Sequence, residues 1–461
     1  MHPIRTQPLV LVLPVLVASV ALSRVAGAYG PRDVPLVDKP AVPVEAPETL
    51  EERFSLHFQL TAATQWHPAF DAKYSGKNSL SPDAESATAL VSTLFADAGL
   101  WPGGELIFDP ELSGGSGLSA TKGVAAFPSG IVYRVGDPAP VIYVARLALR
   151  QTIGLGGRHV HHDPGANELA GTQDQNTLRI SVGRLSVTDV FDANTYAHDP
   201  TERFFNWALF ASGAWDYPAD TRGYTYGALA DLAYEWWSVR AGIALEPKYA
   251  NLAQMDFRLG KSHGLMAEYE ARYEIAGQRG ATSALFFFNQ ARMGSYDQVT
   301  SNPAAYGNDV AATRADGRTK FGFAISAEQA LRHGTGVFLR VSANDGQNES
   351  WAFTEIDRSL AFGIVQAGDI WKRPEDEVGV AFVVNGLSSA HERYLGGGGL
   401  GFILGDGALN YGPEMIADVY YKAYLAENVA LSAIYQPIVN PGYNQDRGPV
   451  HVFSGRLHVA F

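Results

Sequence analysis

The segment HVFSGRLHVAF, residues 451–461, decides the fold of this chain. Apolar and polar side chains alternate along it, from Phe453 through Arg456 and His458 to the terminal Phe461. This alternation has the period of a β-strand, in which successive side chains point to opposite faces. A two-faced strand that ends the polypeptide on an aromatic residue is typical of outer-membrane β-barrels. The segment therefore predicts the closing strand of such a barrel.

The composition of the rest of the chain agrees with a barrel. Only 46% of the 461 residues are apolar, and no stretch after the N-terminus approaches the length of a membrane helix, which needs about 20 apolar residues. Barrel strands turn only alternate residues to lipid, so a barrel sequence resembles a soluble one in hydropathy. The net charge of −13 argues against a nucleic-acid partner.

The N-terminal segment predicts export. Residues 8–22 are almost wholly apolar, and Ala26-Gly27-Ala28 has the small side chains of a cleavage site. We expect a signal peptide over residues 1–28 and not a membrane anchor, because the apolar run is short and Pro14 interrupts it. Residues 29–53 are rich in proline, valine and acidic residues and are predicted to form a flexible periplasmic leader. The barrel then occupies 54–461.

From residue 54 onward the chain is a series of alternating segments with the length of membrane-spanning strands. Short and long connections alternate between them, as expected for short periplasmic turns and long outer loops. Connection 154–175 is long for a turn and 345–350 is short for an outer loop, so the number is open by one hairpin. The lack of a fixed internal repeat weighs against a soluble propeller or solenoid. The predicted strands, about sixteen, are 54–66, 86–98, 104–112, 141–153, 176–186, 223–235, 237–247, 263–275, 281–291, 319–328, 336–344, 351–364, 377–386, 414–425, 429–438 and 449–461.

Alternation also assigns faces to the charged residues. A Lys or Arg on the lipid face near the membrane midplane costs about 2–4 kcal/mol, so we expect the charged face of each strand to point inward. In 141–153 this logic turns Tyr143 and Ala145 to the lipid. Most inward charges are predicted to pair and stiffen the wall, and a few to lie at a constriction. The predicted pore-lining or constriction residues on strands are Glu105, Asp109, Arg146, Arg150, Arg179, Arg240, Glu268, Glu270, Arg272 and Arg340, and Asp418, Lys422, Arg456 and His458 also face inward.

The longest connection, 187–222, predicts a short helix in an extracellular loop. Asp199 and Pro200 match an N-cap and a first helical position, and Glu202 matches the third, so the helix is expected to run to about Ser212. It either folds into the barrel mouth and narrows the pore or lies across the outer loops. Two residues that follow it, Trp215 and Asp216, are predicted to contact the solute, because an aromatic face beside a carboxylate suits a sugar ring.

A lumen that carries both charge signs predicts passage of neutral, hydroxyl-rich solutes. Ion-selective pores carry rings of one sign, whereas arginine forks and carboxylates together replace the hydration shell of sugar hydroxyls. The alternatives left open are a general or anion-preferring pore, an outer-membrane enzyme and a soluble secreted β protein. Neither a cofactor nor a metal is predicted: the histidines of 159–162 lack a ligand spacing. No catalytic motif is present, so we expect no enzyme.

Local motifs are spread over nearly all of the mature chain. They are Tyr74-Ser75-Gly76 with Asn78-Ser79-Leu80, Leu100-Trp101-Pro102-Gly103-Gly104, Asn206-Trp207-Ala208, Trp215-Asp216-Tyr217-Pro218-Ala219, Met293-Gly294-Ser295-Tyr296, Phe353-Thr354-Glu355-Ile356-Asp357, Trp371 with Arg373-Pro374, Gly405-Asp406-Gly407, Leu409-Asn410-Tyr411-Gly412-Pro413-Glu414 and Asn440-Pro441-Gly442. In these motifs the chain resembles the bacterial carbohydrate-selective porins of the OprB type. The resemblance implies a sixteen-stranded outer-membrane barrel through which sugars, glucose above all, diffuse down their gradient.

A barrel of this kind implies further partners. Outer-membrane lipid surrounds it, and the barrel-assembly machinery is expected to recognise the strand that ends at Phe461. Small sugars are the expected permeating solutes. The sequence leaves open which sugar is preferred and whether the barrel is a monomer or a homotrimer.

Overall fold

The alternating segments close into one antiparallel barrel in the computed structural model of this chain, which describes residues 53–133 and 138–461. The barrel is built of sixteen strands, as predicted. The predicted signal peptide, 1–28, and the predicted leader, 29–53 except for Arg53, lie outside the described residues.

The strands of the described part are numbered in chain order. They are β1 (Phe54–His67), β2 (Glu85–Trp101), β3 (Gly104–Gly115), β4 (Val141–Gly154), β5 (His159–His162), β6 (Gly171–Asp174), β7 (Thr177–Leu185), β8 (Thr225–Tyr234), β9 (Trp237–Ala244), β10 (His263–Ile275), β11 (Gln278–Ala291), β12 (Arg318–Ala330), β13 (Thr335–Asn344), β14 (Arg358–Ala367), β15 (Glu377–Gly386), β16 (Glu414–Ala426), β17 (Val429–Val439) and β18 (Val450–Ala460). All except β5 and β6 belong to the barrel, and those two pair only with each other.

The C-terminal segment closes the barrel. Strand β18 pairs with β1 in a register that runs from Gln59 opposite Ala460 to Trp66 opposite Phe453. The pairing continues to the last residue, because Phe461 donates its N–H to the carbonyl of Phe58 at 2.8 Å. The predicted pairing of the terminal strand with the segment 54–66 is confirmed.

The two ends of the barrel differ in their connections. One end has short turns such as 235–236, 276–277 and 427–428, and the other has long loops such as 116–140 and 186–224. We call these the short-turn end and the long-loop end.

Both connections that fitted the alternation poorly have an explanation. The long connection at the short-turn end contains the small hairpin β5–β6. The predicted strand 351–364 was wrong in its first half: β14 begins only at Arg358, and the loop before it covers 345–357. The backbone N–H groups of Trp351 and Ala352 are bound by the Asp216 carboxylate, so they are not available for strand pairing.

Helices are few and short in the described residues. None of them is long and apolar enough to cross a membrane. The α-helices are Trp207–Phe210, Tyr296–Ser301, Pro303–Tyr306 and Ser389–Gly396, and the 3-10 helices are Leu118–Ala120, Val187–Asp189, Val310–Thr313, Gly368–Trp371 and Pro441–Tyr443.

The predicted faces are correct along most strands. Leu265 and Tyr269 of β10 are 42% and 52% exposed on the outside, whereas Glu268 is buried inside. Strand β4 is the exception, because its register with β3 shifts between Asp109 and Pro110 and leaves Ala145 as an extra, bulged residue. Beyond the bulge the faces exchange, so Tyr143 points inward and not toward the lipid as predicted.

The apolar core lies inside the barrel and not between two layers. Loop 186–224 and residues 116–133 of the loop before β4 fold inward, and many of their side chains, among them Phe127, Phe204 and Phe205, are buried. These loop residues therefore fill the lumen, apart from the channel described below.

Candidate permeation channel

Loop 186–224 is held inside the barrel by charged residues of the wall. Arg340 of β13 donates hydrogen bonds to the carbonyls of Asp192, at 2.8 Å, and of Ala197 and Leu209. One planar guanidinium therefore ties together three separate points of the loop. Its position on the inward face was predicted, but its partners are these backbone carbonyls and the Asp192 carboxylate, at 3.5 Å, and not a solute.

The opposite wall makes equivalent contacts. Asp418 of β16 accepts the N–H groups of Phe205 and Asn206 at 2.8 and 3.1 Å. Arg456 of β18 donates to the carbonyls of Pro200 and Arg203 at 2.7 and 2.6 Å. Carbonyls and N–H groups that a helix would use internally are thus bound by side chains of the barrel.

Because the loop is anchored in this way, the predicted helix is shorter than expected. The helix expected from Asp199 to about Ser212 is reduced to Trp207–Phe210, and its N-cap is Asn206, whose side chain accepts from the N–H of Ala208. The Asp199 carboxylate instead closes a local turn on the N–H and hydroxyl of Thr201. The short helix lies within the barrel and not across the outer loops, which were the two arrangements left open by the sequence.

A channel remains beside the inward loops. It is a cavity of about 1360 Å³ that extends from Asn251 and Phe353 at the long-loop end to Glu427 and Phe461 at the short-turn end. Charged residues of both signs line it. They include Arg146, Arg203, Arg222, Lys422, Glu111, Asp189, Glu202 and Asp220.

Glu111 of β3 is the centre of a hydroxyl cluster on the channel wall. Its carboxylate accepts hydrogen bonds from Thr93 and Tyr224, both at 2.8 Å, from Tyr133 at 3.2 Å and from Tyr143. A carboxylate with this many donors is fixed in orientation, because each oxygen is bound by more than one hydroxyl. The bulge in β4 is what brings Tyr143 into this cluster.

Two arginines lie next to this cluster. Arg146 forms a bidentate pair with Asp189 at 2.7 and 2.6 Å and reaches Asp109 at 3.1 Å. The Arg222 guanidinium lies over the Tyr143 ring at 4.4 Å and has no hydrogen bond or ion pair with residues 53–133 or 138–461. We call Glu111, Arg146, Asp189, Arg222 and Tyr224 the eyelet.

Aromatic rings line the channel on the long-loop side of the eyelet. The Phe353 ring packs on Tyr217 at 4.4 Å between centroids, on Phe210 at 5.7 Å and on Trp207 at 5.8 Å. All four residues belong to the channel lining. The channel therefore has an apolar aromatic wall next to a polar, charged one.

Of the twelve residues predicted to line the pore, only Arg146 lines this cavity. The Glu105–Arg150 pair, at 3.5 Å, lies toward the short-turn end, and Asp109 is buried behind Arg146. The others pair within the wall or bind turns and loops. Arg179 pairs with Glu168, Arg240 with Glu268 and Glu270, Arg272 binds the carbonyls of Glu235 and Trp237, and Arg340 binds the loop.

Trp215 and Asp216, which were predicted to contact the solute, lie away from the channel. Both are buried, at 0% and 1% exposure, and neither lines the channel. The Asp216 carboxylate binds the backbone of residues 351–353 and lies 3.4 Å from the Lys320 ammonium. Its function here is to fix one inward loop against another. The neighbouring Tyr217 is the residue of this motif that reaches the channel.

Glu246, which follows β9, lies in the same buried region as Asp216. It is fully buried, and neither carboxylate oxygen has a hydrogen-bond partner among the described residues. Burial, together with the nearby Asp216 charge, raises the pKa of Glu246 well above its usual value, against an opposing effect of Lys320. The folded protein keeps a proton there at pH values where the unfolded chain has lost it, so stability falls as pH rises above the ordinary pKa of about 4.3.

We therefore expect Glu246→Gln to raise the thermal unfolding midpoint in detergent at pH 8 and to have little effect at pH 4. Glutamine removes the charge that burial disfavours while keeping the shape of the side chain. The exposed Glu274→Gln is the matched control and should shift neither midpoint. An equal shift of the Glu246→Gln midpoint at both pH values would contradict a buried, protonated Glu246.

Most of the eyelet residues were not among the predicted pore-lining residues. Glu111 lies two residues beyond Asp109 on the predicted inward face of 104–112, so alternation alone could have identified it. Tyr143, which binds Glu111 from the wall, was assigned to the wrong face, because the alternation of apolar and polar residues does not reveal a bulge. Arg222 and Asp189 lie in a long loop, where no periodicity indicates which side chains return to the lumen.

A closed barrel of sixteen antiparallel strands, with loops folded inside and a charged channel from end to end, is the architecture of an outer-membrane porin. The family model of the carbohydrate-selective porins, OprB family, matches residues 77–461. The chain belongs to this family, which places it in the outer membrane.

One solved structure agrees with this chain in fold. OprB of Pseudomonas putida matches with a TM-score of 0.68 and 14% identity over 89% of this chain and 95% of that chain. The outer membrane channel DcaP of Acinetobacter baumannii matches with a TM-score of 0.47 and 8% identity over 88% of this chain and 97% of that chain. A search of curated proteins finds no match to this chain.

Proposed function

We propose that this porin is a passive channel for small neutral sugars, with glucose-sized solutes recognised at the eyelet. The observation that carries the proposal is Arg222. Its guanidinium lines the channel, lies over the Tyr143 ring, and has no hydrogen-bond or ion-pair partner among the described residues. A planar fork of N–H donors in this position suits two adjacent hydroxyl groups, which accept both bonds without bringing a charge.

The remaining charges of the eyelet favour a neutral solute. Glu111 is already saturated by hydroxyl donors, and Arg146 is already paired with Asp189. A charged solute would have to compete with these pairs and be stripped of its own hydration, which costs more than stripping a hydroxyl group. A sugar can add hydrogen bonds at the edges of the pairs and leave them intact.

The aromatic wall supports the same proposal. Phe353 and Tyr217 present rings to the channel close to the polar eyelet. The C–H faces of a pyranose are apolar while its rim carries hydroxyls, so a solute with both kinds of surface fits between such walls. A small inorganic ion gains nothing from the rings.

The alternative within transport is a general or anion-preferring pore, for which the supporting observation is that the Arg222 guanidinium is unpaired among the described residues. An enzyme is a weaker alternative, because the fold and the family are those of channel proteins. Recognition of β18 by the assembly machinery, the choice between monomer and homotrimer, and contact with outer-membrane lipid remain predictions.

Swelling of liposomes that contain the purified protein tests the proposal. We expect glucose to enter faster than gluconate and faster than glucosamine, which have nearly its size but carry opposite charges. Faster entry of gluconate would favour the anion-preferring pore. Equal rates for all three solutes would contradict sugar selectivity and leave a general diffusion pore.

A further inference from the structure

The connection between β4 and β7 is unlike the others at the short-turn end. Residues 155–176 form a hairpin, β5–β6, whose two short strands pair only with each other. An isolated two-stranded hairpin of this size is not stable in water. The hairpin must therefore be held by other parts of the protein.

The tip of the hairpin, residues 163–170, is held inside the barrel wall. Arg150 of β4 donates to the carbonyl of Asn167 at 2.8 Å, and the Asn167 side chain donates to Asp109 of β3 at 3.0 Å. On the far side Ser55 of β1 donates to the carbonyl of Gly165 at 3.2 Å. Asn167 is 7% exposed, so the tip is packed against the wall and does not hang free.

The tip also borders the channel. Gly165, Ala166 and Asn167 belong to the same lining as the eyelet. The two are linked directly, because one oxygen of Asp109 accepts hydrogen bonds from both Arg146, at 3.1 Å, and Asn167, at 3.0 Å. A solute that leaves the eyelet toward the short-turn end therefore passes the hairpin tip.

We propose that the tip Gly165–Asn167 is a second constriction in series with the eyelet, which limits conductance and the size of solute that can leave the channel. This assigns a function to Arg150 and Asp109 as positioning residues, since they hold the tip in place. The inference rests on the proposed function only for the identity of the solute, because a constriction restricts ions as well as sugars.

Modification of a single introduced thiol tests the proposal directly. The chain has no cysteine, so one substitution gives a unique reactive site. We expect the conductance of Ala166→Cys channels to fall in a single step when a trimethylammonium methanethiosulfonate is added on the short-turn side of a planar bilayer. The control is His161→Cys, on the exposed part of the hairpin outside the channel lining, which should react without any change in conductance.

Shortening the hairpin is a second test of the constriction, in which the conductance is expected to rise instead of fall. Residues 157–174 are replaced by Asn-Gly, a two-residue turn that suits a β-hairpin. We expect a higher single-channel conductance and faster entry of sucrose relative to glucose in liposomes. Unchanged conductance after complete thiol modification of Ala166→Cys would overturn the proposal, and so would unchanged conductance of a shortened barrel that still migrates as folded in unheated gels.

The two proposals fail in different ways. If modification of Ala166→Cys lowers the conductance but glucose is not preferred over gluconate and glucosamine, the constriction is supported and sugar selectivity is rejected. If glucose is preferred but modification and shortening leave conductance unchanged, the eyelet is the sole filter and the constriction at the hairpin tip is rejected.

Discussion

Replacement of Arg340 by alanine is expected to raise the single-channel conductance severalfold while the barrel stays closed. Arg340 is the only contact found in the described residues that ties Asp192, Ala197 and Leu209 together. Each hydrogen bond to a charged donor contributes about 1.5–3 kcal/mol, so the loop loses several kcal/mol of anchoring. The loop stays anchored to the opposite wall by Asp418 and Arg456, but on the β13 side it can move away and open part of the lumen to water and ions. Conductance in planar bilayers, together with heat-modifiable migration as a measure of folding, checks this result.

Arg272→Ala is the matched control. Arg272 is also an inward arginine that donates to backbone carbonyls, but its carbonyls belong to Glu235 and Trp237 in a turn at the short-turn end. Its removal should leave conductance close to that of the parent protein. Arg340→Lys keeps the charge without the fork and should give an intermediate conductance. If Arg340→Ala channels are folded and conduct like the parent, the loop is held by its other contacts and the prediction is wrong.

Replacement of Arg222 by alanine is expected to weaken glucose binding in the channel by about tenfold to a hundredfold, which corresponds to the loss of one charge-assisted hydrogen bond at about 1.5–3 kcal/mol. The half-blocking concentration of glucose in ion-current measurements gives this value. Loss of the cation should also shift the reversal potential in a salt gradient toward cation preference.

The effect of Arg222 separates into two parts. Arg222→Lys retains the charge and should keep the reversal potential, but it should lose most of the glucose affinity because lysine cannot bind two hydroxyls in a plane. Arg258→Ala removes an exposed arginine that pairs with Asp256 and lies outside the channel lining, so it controls for a general change in surface charge. An unchanged half-blocking concentration in Arg222→Ala would exclude Arg222 as the sugar contact.

The number of strands, their order and most of their faces could be predicted because they are local properties. The alternation of apolar and polar residues and the lengths of the connections can be read from neighbouring residues. The alternation also gives the faces of a strand correctly, as the buried Glu268 and the exposed Leu265 show. The site could be predicted only in part. Arg340 and Asp418 were correctly turned inward, but their partners are carbonyl and N–H groups of a loop, and nothing in a sequence indicates which backbone groups a side chain will meet.

The bulge beside Asp109 has a consequence for how such a channel can change over time. One extra residue, Ala145, decides that Tyr143 points inward and binds Glu111 of the eyelet, while Ile142 and Val144 remain exposed on the outer face. Gain or loss of a single codon at this point exchanges the residues that support Glu111 for the residues that face the membrane, over the long-loop half of β4 only. Solute preference can therefore be rewritten by insertion or deletion within a strand, without altering the strand order, the turns or the closure of the barrel.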